Sequence, residues 1–237
     1  MSSFSFSKFV EAGFVVVMVV VVPALSYKTS KRLELLALPR LNLYLSAAFS
    51  QWMLTLLGAL VVLIAPFNFA AAGVRTVPGT SFLFWTGALT GVSLAALGLV
   101  VLLEQRGWVP PEPELVHALI PETRKEKLWA VFVIAPTAGL CEEFLYRGIL
   151  LALLSQWLPS VVWAAAISSV AFGMAHVCQG ASGIVRAALL GAMLSIPVVR
   201  LGSILPSTAA HFLIDAVALA WLGPRMIRRD YQKSLDG

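Results

Sequence analysis

Charge is scarce in this chain. Of its 237 residues 12% are Asp, Glu, Lys or Arg and 59% are hydrophobic, where soluble domains run at about 25% and about 45–50%. That composition excludes an ordinary soluble domain. Cysteine is nearly missing too: Cys141 and Cys178 are the only two, with no CxxC spacing, so neither a disulfide framework nor a thiolate metal knuckle is encoded. Short segments of alternating polarity are lacking, which argues against a membrane β-barrel. There is no internal repeat, and the one low-complexity tract is the valine run at 15–22. The net charge of +5 comes with no basic face carrying interleaved aromatics outside the apolar runs, so nucleic acid is not an expected partner.

What the chain does have is long apolar blocks, at about 9–27, 42–65, 81–103, 128–158, 160–178, 184–200 and 203–223. A span takes roughly 20 apolar residues. The expected fold is all-α: a polytopic transmembrane helical bundle of about eight helices with seven to eight membrane spans, a single integral membrane domain over 1–237. Membrane lipid is therefore a partner. The first block has only Lys8 before it, offset by Glu11, and Lys28, Lys31 and Arg32 after it, the reverse of a cleaved signal peptide, and reads as a retained span.

Basic residues set the expected orientation. With the N-terminus outside and seven crossings, thirteen fall inside (Lys28, Lys31, Arg32, Arg40, Arg106, Arg124, Lys125, Lys127, Arg186, Arg225, Arg228, Arg229 and Lys233) and three outside (Lys8, Arg75 and Arg200). This fits the positive-inside rule and puts the C-terminus in the cytoplasm. The polar segment 104–127, with Pro110, Pro111, Pro113 and Pro121, reads as a cytoplasmic connector, and His117 as an ordinary histidine within it. "GALTG" at 87–91 has the spacing of a close helix contact.

The block 128–158 would make a helix of about 46 Å, longer than the roughly 30 Å hydrocarbon core. Pro136 and Gly139 offer a break, and 124–138 is expected to be a separate helix. On that reading Glu142 lies about one turn from the cytoplasmic end of its span, level with His176, His211 and Asp215.

These polar residues are the feature that demands explanation, because an ionisable group at membrane depth costs a few kcal/mol or more. "CEEFLYRG" at 141–148 puts Glu143 and Arg147 four apart, the favourable order for a helical ion pair. Glu142 is left without a partner on its own helix, sharing its face with Tyr146, and is the candidate base. "FGMAH" puts Phe172 one turn before His176, and "HFLID" puts His211 one turn before Asp215. Asp215 could fix the tautomer of His211, or both could bind a metal. Taken singly, any of these groups could be interhelical glue. Six on three spans at one depth point to a site. Cys141 and Cys178 read as small packing residues.

The motifs Glu142-Glu143-Phe-Leu-Tyr-Arg147, Phe172-Gly-Met-Ala-His176 and His211-Phe-Leu-Ile-Asp215 resemble those of the CPBP family of intramembrane proteases. That family includes the CAAX prenyl endopeptidases of the Rce1 type and the bacterial Abi proteins linked to bacteriocin self-immunity. The resemblance implies hydrolysis of a peptide bond in a membrane-anchored or lipidated peptide, with a protease-like core over 124–223. Glu142 would activate water, and His176, His211 and Asp215 would complete the site. Glu143, Arg147 and Phe172 would support it. Glu142, His176, His211 and Asp215 would suit Zn²⁺ with an open position, and metallo- and glutamate-type chemistry both stay open. Where the prenyl proteases usually carry Asn, this chain carries Asp215, which cannot donate to an oxyanion when ionised. A non-catalytic immunity or scaffold protein is the alternative, and a proton-coupled transporter is a further one. Length and short loops suggest a prokaryotic chain, hence a bacterial inner (plasma) membrane, with the site toward the cytoplasmic leaflet.

Overall fold

The structure, a computed structural model, describes residues 6–65, 67–108 and 113–223. Pro110, Pro111, Arg225, Arg228, Arg229 and Lys233 lie outside the described residues. Among the described residues there are eight helices and no strand. Five are long and apolar enough to cross a membrane: α1 (Phe6–Ser30), α2 (Arg40–Ile64), α3 (Gly79–Glu104), α5 (Arg124–Trp157) and, with the turn before it, α7 (Val177–Leu201). Two shorter apolar helices are α6 (Val161–Ala175) and α8 (Leu205–Trp221). The eighth, α4 (Glu114–Leu119), belongs to the connector and contains a half-buried His117.

The expected break in the long block does not occur. α5 runs without interruption for 34 residues, about 51 Å of rise. Its chain reaches this length by loosening rather than breaking, with π-helical stretches at Ala130–Ile134 and Glu143–Leu150. Pro136 sits in the first turn after the first of these, where a missing N–H is tolerated. Gly139 serves contact instead of a hinge: a Cβ there would lie 3.0 Å from the backbone of both Thr208 and Phe212 on α8. The first turn of α5, Arg124–Trp129, is charged and capped by Thr123 and Glu126 in a reciprocal box, which marks an end of the helix suited to water.

α5 is the axis of the bundle. Half of its most apolar stretch is buried, against 17–33% for the other four long helices. The main core joins Phe14 and Met18 of α1, Val61 and Val62 of α2, Leu145 to Leu154 of α5 and Phe172 of α6. The first block thus contributes to the core through Phe14 and Met18. α3 lies to one side, with Leu89 packed on Leu194, Ala210 and Ile214. Here the 87–91 expectation fails. Gly87 and Gly91 have no neighbouring helix within 4 Å of a built Cβ; Thr86, Leu89 and Ser93 face inward in their place.

The two ends of the bundle differ. At one, the segment after α2 folds inward: Ala72 is buried, its carbonyl would sit 2.7 Å from a Cβ on Gly148, and Gly73 at φ +78° accepts a hydrogen bond from Ile204 N–H. At the other, Arg40 pairs with Glu122 at 2.7 Å and Arg186 with Glu104 at 3.3 Å. That second, basic end holds a cavity of about 400 Å³ lined by Tyr27, Lys31, Arg32, Glu114, Val177 and Cys178, among others.

Candidate active site

α5 carries Glu142 and Glu143 into the bundle side by side, and both reach the same imidazole. His211 of α8 is 3% exposed. Its Nδ1–H donates to Glu143 Oε1 at 2.9 Å, since a carboxylate oxygen only accepts. Its Nε2 faces two further carboxylates, Glu142 Oε2 at 3.8 Å and Asp215 Oδ2 at 3.7 Å. These last separations are too long for direct hydrogen bonds. Glu142 and Asp215 are partly accessible, with side chains 14% and 27% exposed, so the two carboxylates beside Nε2 keep some open surface.

Glu143 also pairs with Arg147 at 3.1 Å, and both side chains are fully buried. The expected ion pair is thus present, although the helix there is π rather than α. The guanidinium lies 4.1 Å over the face of Phe172, a cation–π contact in a dry setting. A Cβ at residue 191 would come within 2.8 Å of it, so Gly191 makes its room. Phe172 forms the wall between the motifs: its ring meets Tyr146 at 5.1 Å, His176 at 4.6 Å and His211 at 6.1 Å. The two imidazole centroids are therefore no more than 10.7 Å apart, the sum of the last two separations.

His176 caps the C-terminal end of α6 and donates Nδ1–H to the Phe172 carbonyl at 2.8 Å. In its neutral form Nε2 then carries the lone pair. Helix length explains how it reaches the site. α6 has 15 residues, about 22 Å, which is less than the hydrocarbon thickness. Its end stops inside the bundle, under the last turns of α1, where Cys178 N–H meets Ser26 Oγ at 3.4 Å.

Several expectations need correcting. Glu142 is not one turn from the end of its span, because the helix is unbroken. Its partner Gln51 stands near the middle of α2, so the cluster lies at mid-height of the bundle. An unbroken helix was expected to keep Glu142 away from His176; the shortness of α6 ends that helix at His176, whose ring is packed with that of His211 on either side of Phe172. Asp215 is not what holds the His211 tautomer: Glu143 takes Nδ1–H, and is thus more than a counter-ion. Glu142 takes its partner from another helix, since Gln51 Nε2 of α2 donates to its Oε1 at 2.6 Å. Gln51 escaped the sequence reading because it carries no charge, although an amide inside an apolar span is itself a signal. Cys141 is fully buried, as a small packing residue would be.

The zinc set Glu142, His176, His211 and Asp215 was tested against this geometry. Zinc takes nitrogen and oxygen at about 2.0–2.2 Å. One oxygen of Glu142 is engaged by Gln51, and each histidine donates Nδ1–H within the protein, which leaves Nε2 of each ring and Oε2 of Glu142 free to approach an ion. Among the described residues no group of three His, Cys, Asp or Glu side chains is disposed to hold a metal ion. As placed, the residues do not form a zinc cage, and no chemical step is drawn through one.

No curated protein and no solved structure matches this chain significantly. The family of type II CAAX prenyl endopeptidases, Rce1-like, matches it over residues 124–217. That stretch runs from the first turn of α5 to just past Asp215 and contains all three motifs, so the segment that builds the site is similar to this family, consistent with the CPBP resemblance.

Proposed function

We propose that the chain is an intramembrane endopeptidase that hydrolyses a peptide bond in a membrane-anchored or lipidated peptide, with Glu142 as the base that activates water. The observation that carries this reading is the gap between Glu142 Oε2 and His211 Nε2. Water held there touches a carboxylate that can take its proton and lies beside an imidazole fixed in orientation by Glu143. Doubly protonated, His211 donates Nε2–H to the carbonyl oxygen as it gains charge. That form also offsets part of the negative charge of the site, since Arg147 and His211 then stand against the three carboxylates Glu142, Glu143 and Asp215. His176 offers the Nε2 lone pair as an acceptor for the water. Glu142 returns its proton to the leaving amine.

The substrate side follows from the lipid setting. The site is at mid-height, so a scissile bond reaches it when its peptide is already held at the membrane. Water would come from the basic end, where the cavity abuts Val177 and Cys178, the two residues after His176, while Ala72 is buried at the other end. In the orientation that the basic residues favour, this entrance faces the cytoplasm. The test is cleavage of a farnesylated, membrane-tethered peptide by purified chain in nanodiscs. Glu142→Gln keeps the Gln51 contact sterically and removes the base; cleavage is expected to fall by at least about 10³-fold, within the range seen when a catalytic base is removed. Undiminished cleavage in that variant would refute the assignment.

A further inference from the structure

The site has one component outside the matched segment. Gln51 lies on α2, in the apolar block 42–65, and reaches Glu142 across 91 residues of sequence with a 2.6 Å hydrogen bond from Nε2 to Oε1. A carboxylate accepting from an amide makes a short, charge-assisted bond, and only the amide nitrogen can donate to it.

The helix that brings Gln51 is held in register on both sides of it. Arg40 is tied to Glu122, Trp52 Nε1–H points at Thr137 Oγ1 at 3.3 Å, and Thr55 meets Cys141. Further along, a Cβ at Gly58 would touch Ile149 and Leu145 at 2.8 and 3.0 Å. α2 and α5 run in parallel along this seam, and the Gln51 amide is delivered from a fixed backbone. The consequence lies in the geometry of Glu142. Its Oε1 is taken by Gln51, and its Oε2 is the oxygen 3.8 Å from His211 Nε2. Without that amide the carboxylate can rotate about its terminal torsion, which is broad for an sp³–sp² bond, and Oε2 leaves the gap.

We infer that Gln51 is the positioning residue of the base: its amide fixes which oxygen of Glu142 faces the water and His211. This rests on the reading of Glu142 as the base. The role is orientation, so it belongs to the reacting state and not to substrate affinity, and small displacements of a catalytic group cost up to about 10²-fold in rate.

The experiment uses the full chain in nanodiscs with the tethered farnesylated peptide and three variants. Gln51→Met keeps length and volume but cannot donate; kcat is expected to fall by about ten- to a hundredfold with KM within about twofold. Gln51→Glu places a second carboxylate against Glu142; it is expected to be slower still at pH 7.5, and to recover as the pH is lowered and the new carboxyl gains a proton it can donate. Glu142→Gln sets the floor. A space-filling role predicts instead a fully active Gln51→Met and no pH-dependent recovery in Gln51→Glu, and either result overturns the inference. Loss of fold cannot imitate the recovery at lower pH. Full activity in Glu142→Gln would overturn the base assignment together with its positioning residue. A silent Glu142→Gln beside a fully active Gln51→Met would overturn the positioning role alone.

Discussion

Replacing Arg147 by Met tests whether the buried ion pair is a foundation of the site. The guanidinium is 1% exposed and Glu143 is 0% exposed, and they meet at 3.1 Å. Removing one partner of such a pair strands the other charge away from water, which costs about 3–5 kcal/mol. Two local features adjust the figure. Glu143 keeps a second partner in His211 Nδ1–H at 2.9 Å, which lowers the cost. The 4.1 Å contact with the Phe172 face is also lost, and a desolvated cation–π contact is worth about 2 kcal/mol, which raises it. The net expectation stays near about 4 kcal/mol, or a fall in melting temperature of about 10 °C for a chain of this size.

The reciprocal change, Glu143→Gln, leaves Arg147 without its carboxylate partner but preserves an acceptor for His211. The double variant removes both charges. Its cost is expected to fall short of the sum of the two single changes by about 2 kcal/mol, the coupling typical of groups in direct contact. The measurement is thermal unfolding in detergent, followed by intrinsic tryptophan fluorescence for the four members of the cycle. Activity separates the two functions of Glu143. Arg147→Met keeps the His211 contact and is expected to retain measurable cleavage at low temperature. An Arg147→Met melting temperature within 1–2 °C of the parent, which for this size is roughly 0.5 kcal/mol, would refute the argument, as would strict additivity.

Gly139→Val should uncouple the site without touching any polar group, because its side chain would collide with the α8 backbone at Thr208 and Phe212, 3.0 Å from a built Cβ; loss of cleavage with the chain still folded is expected, and full activity would show that the α5–α8 spacing does not matter. Prolonged treatment with 1,10-phenanthroline should leave cleavage unchanged, since among the described residues no group of three His, Cys, Asp or Glu side chains is disposed to hold a metal ion; inhibition reversed by added Zn²⁺, with about one equivalent of metal found by elemental analysis, would overturn that expectation.

The helices themselves were legible from hydropathy, since each apolar block became a helix near its expected place. The three motifs were legible as well, because ionisable groups in apolar runs stand out and the Glu143–Arg147 spacing carries its own geometry. The break at 136–139 was misread for a physical reason. A proline and a glycine in a long helix signal an interruption only when nothing else accommodates them. Here a π-helical stretch precedes Pro136 and the α8 backbone packs on Gly139, and neither neighbour is visible within the segment. The same limit hid the close partners of the carboxylates: Gln51 and His211 come from other helices, and spacing along one helix cannot reveal them.

The length of each helix turns out to decide more than the position of its breaks. A 34-residue α5 would strand its glutamates at mid-height if every neighbour spanned the full bundle. The 15-residue α6 ends short, so its terminal residue, His176, occupies a level where a complete span would present only side chains along its flank. The 3-10 turn Val177–Gln179 then leads through Gly180 at φ +76° into α7, and this irregular backbone lies beside the basic-end cavity. Non-helical backbone at such depth is tolerated where protein buries it or water reaches it. Both conditions meet here, under the last turns of α1 and next to the cavity. A short helix followed by a turn thus does two things at once: it delivers a histidine to buried carboxylates, and it leaves an opening by which water can follow.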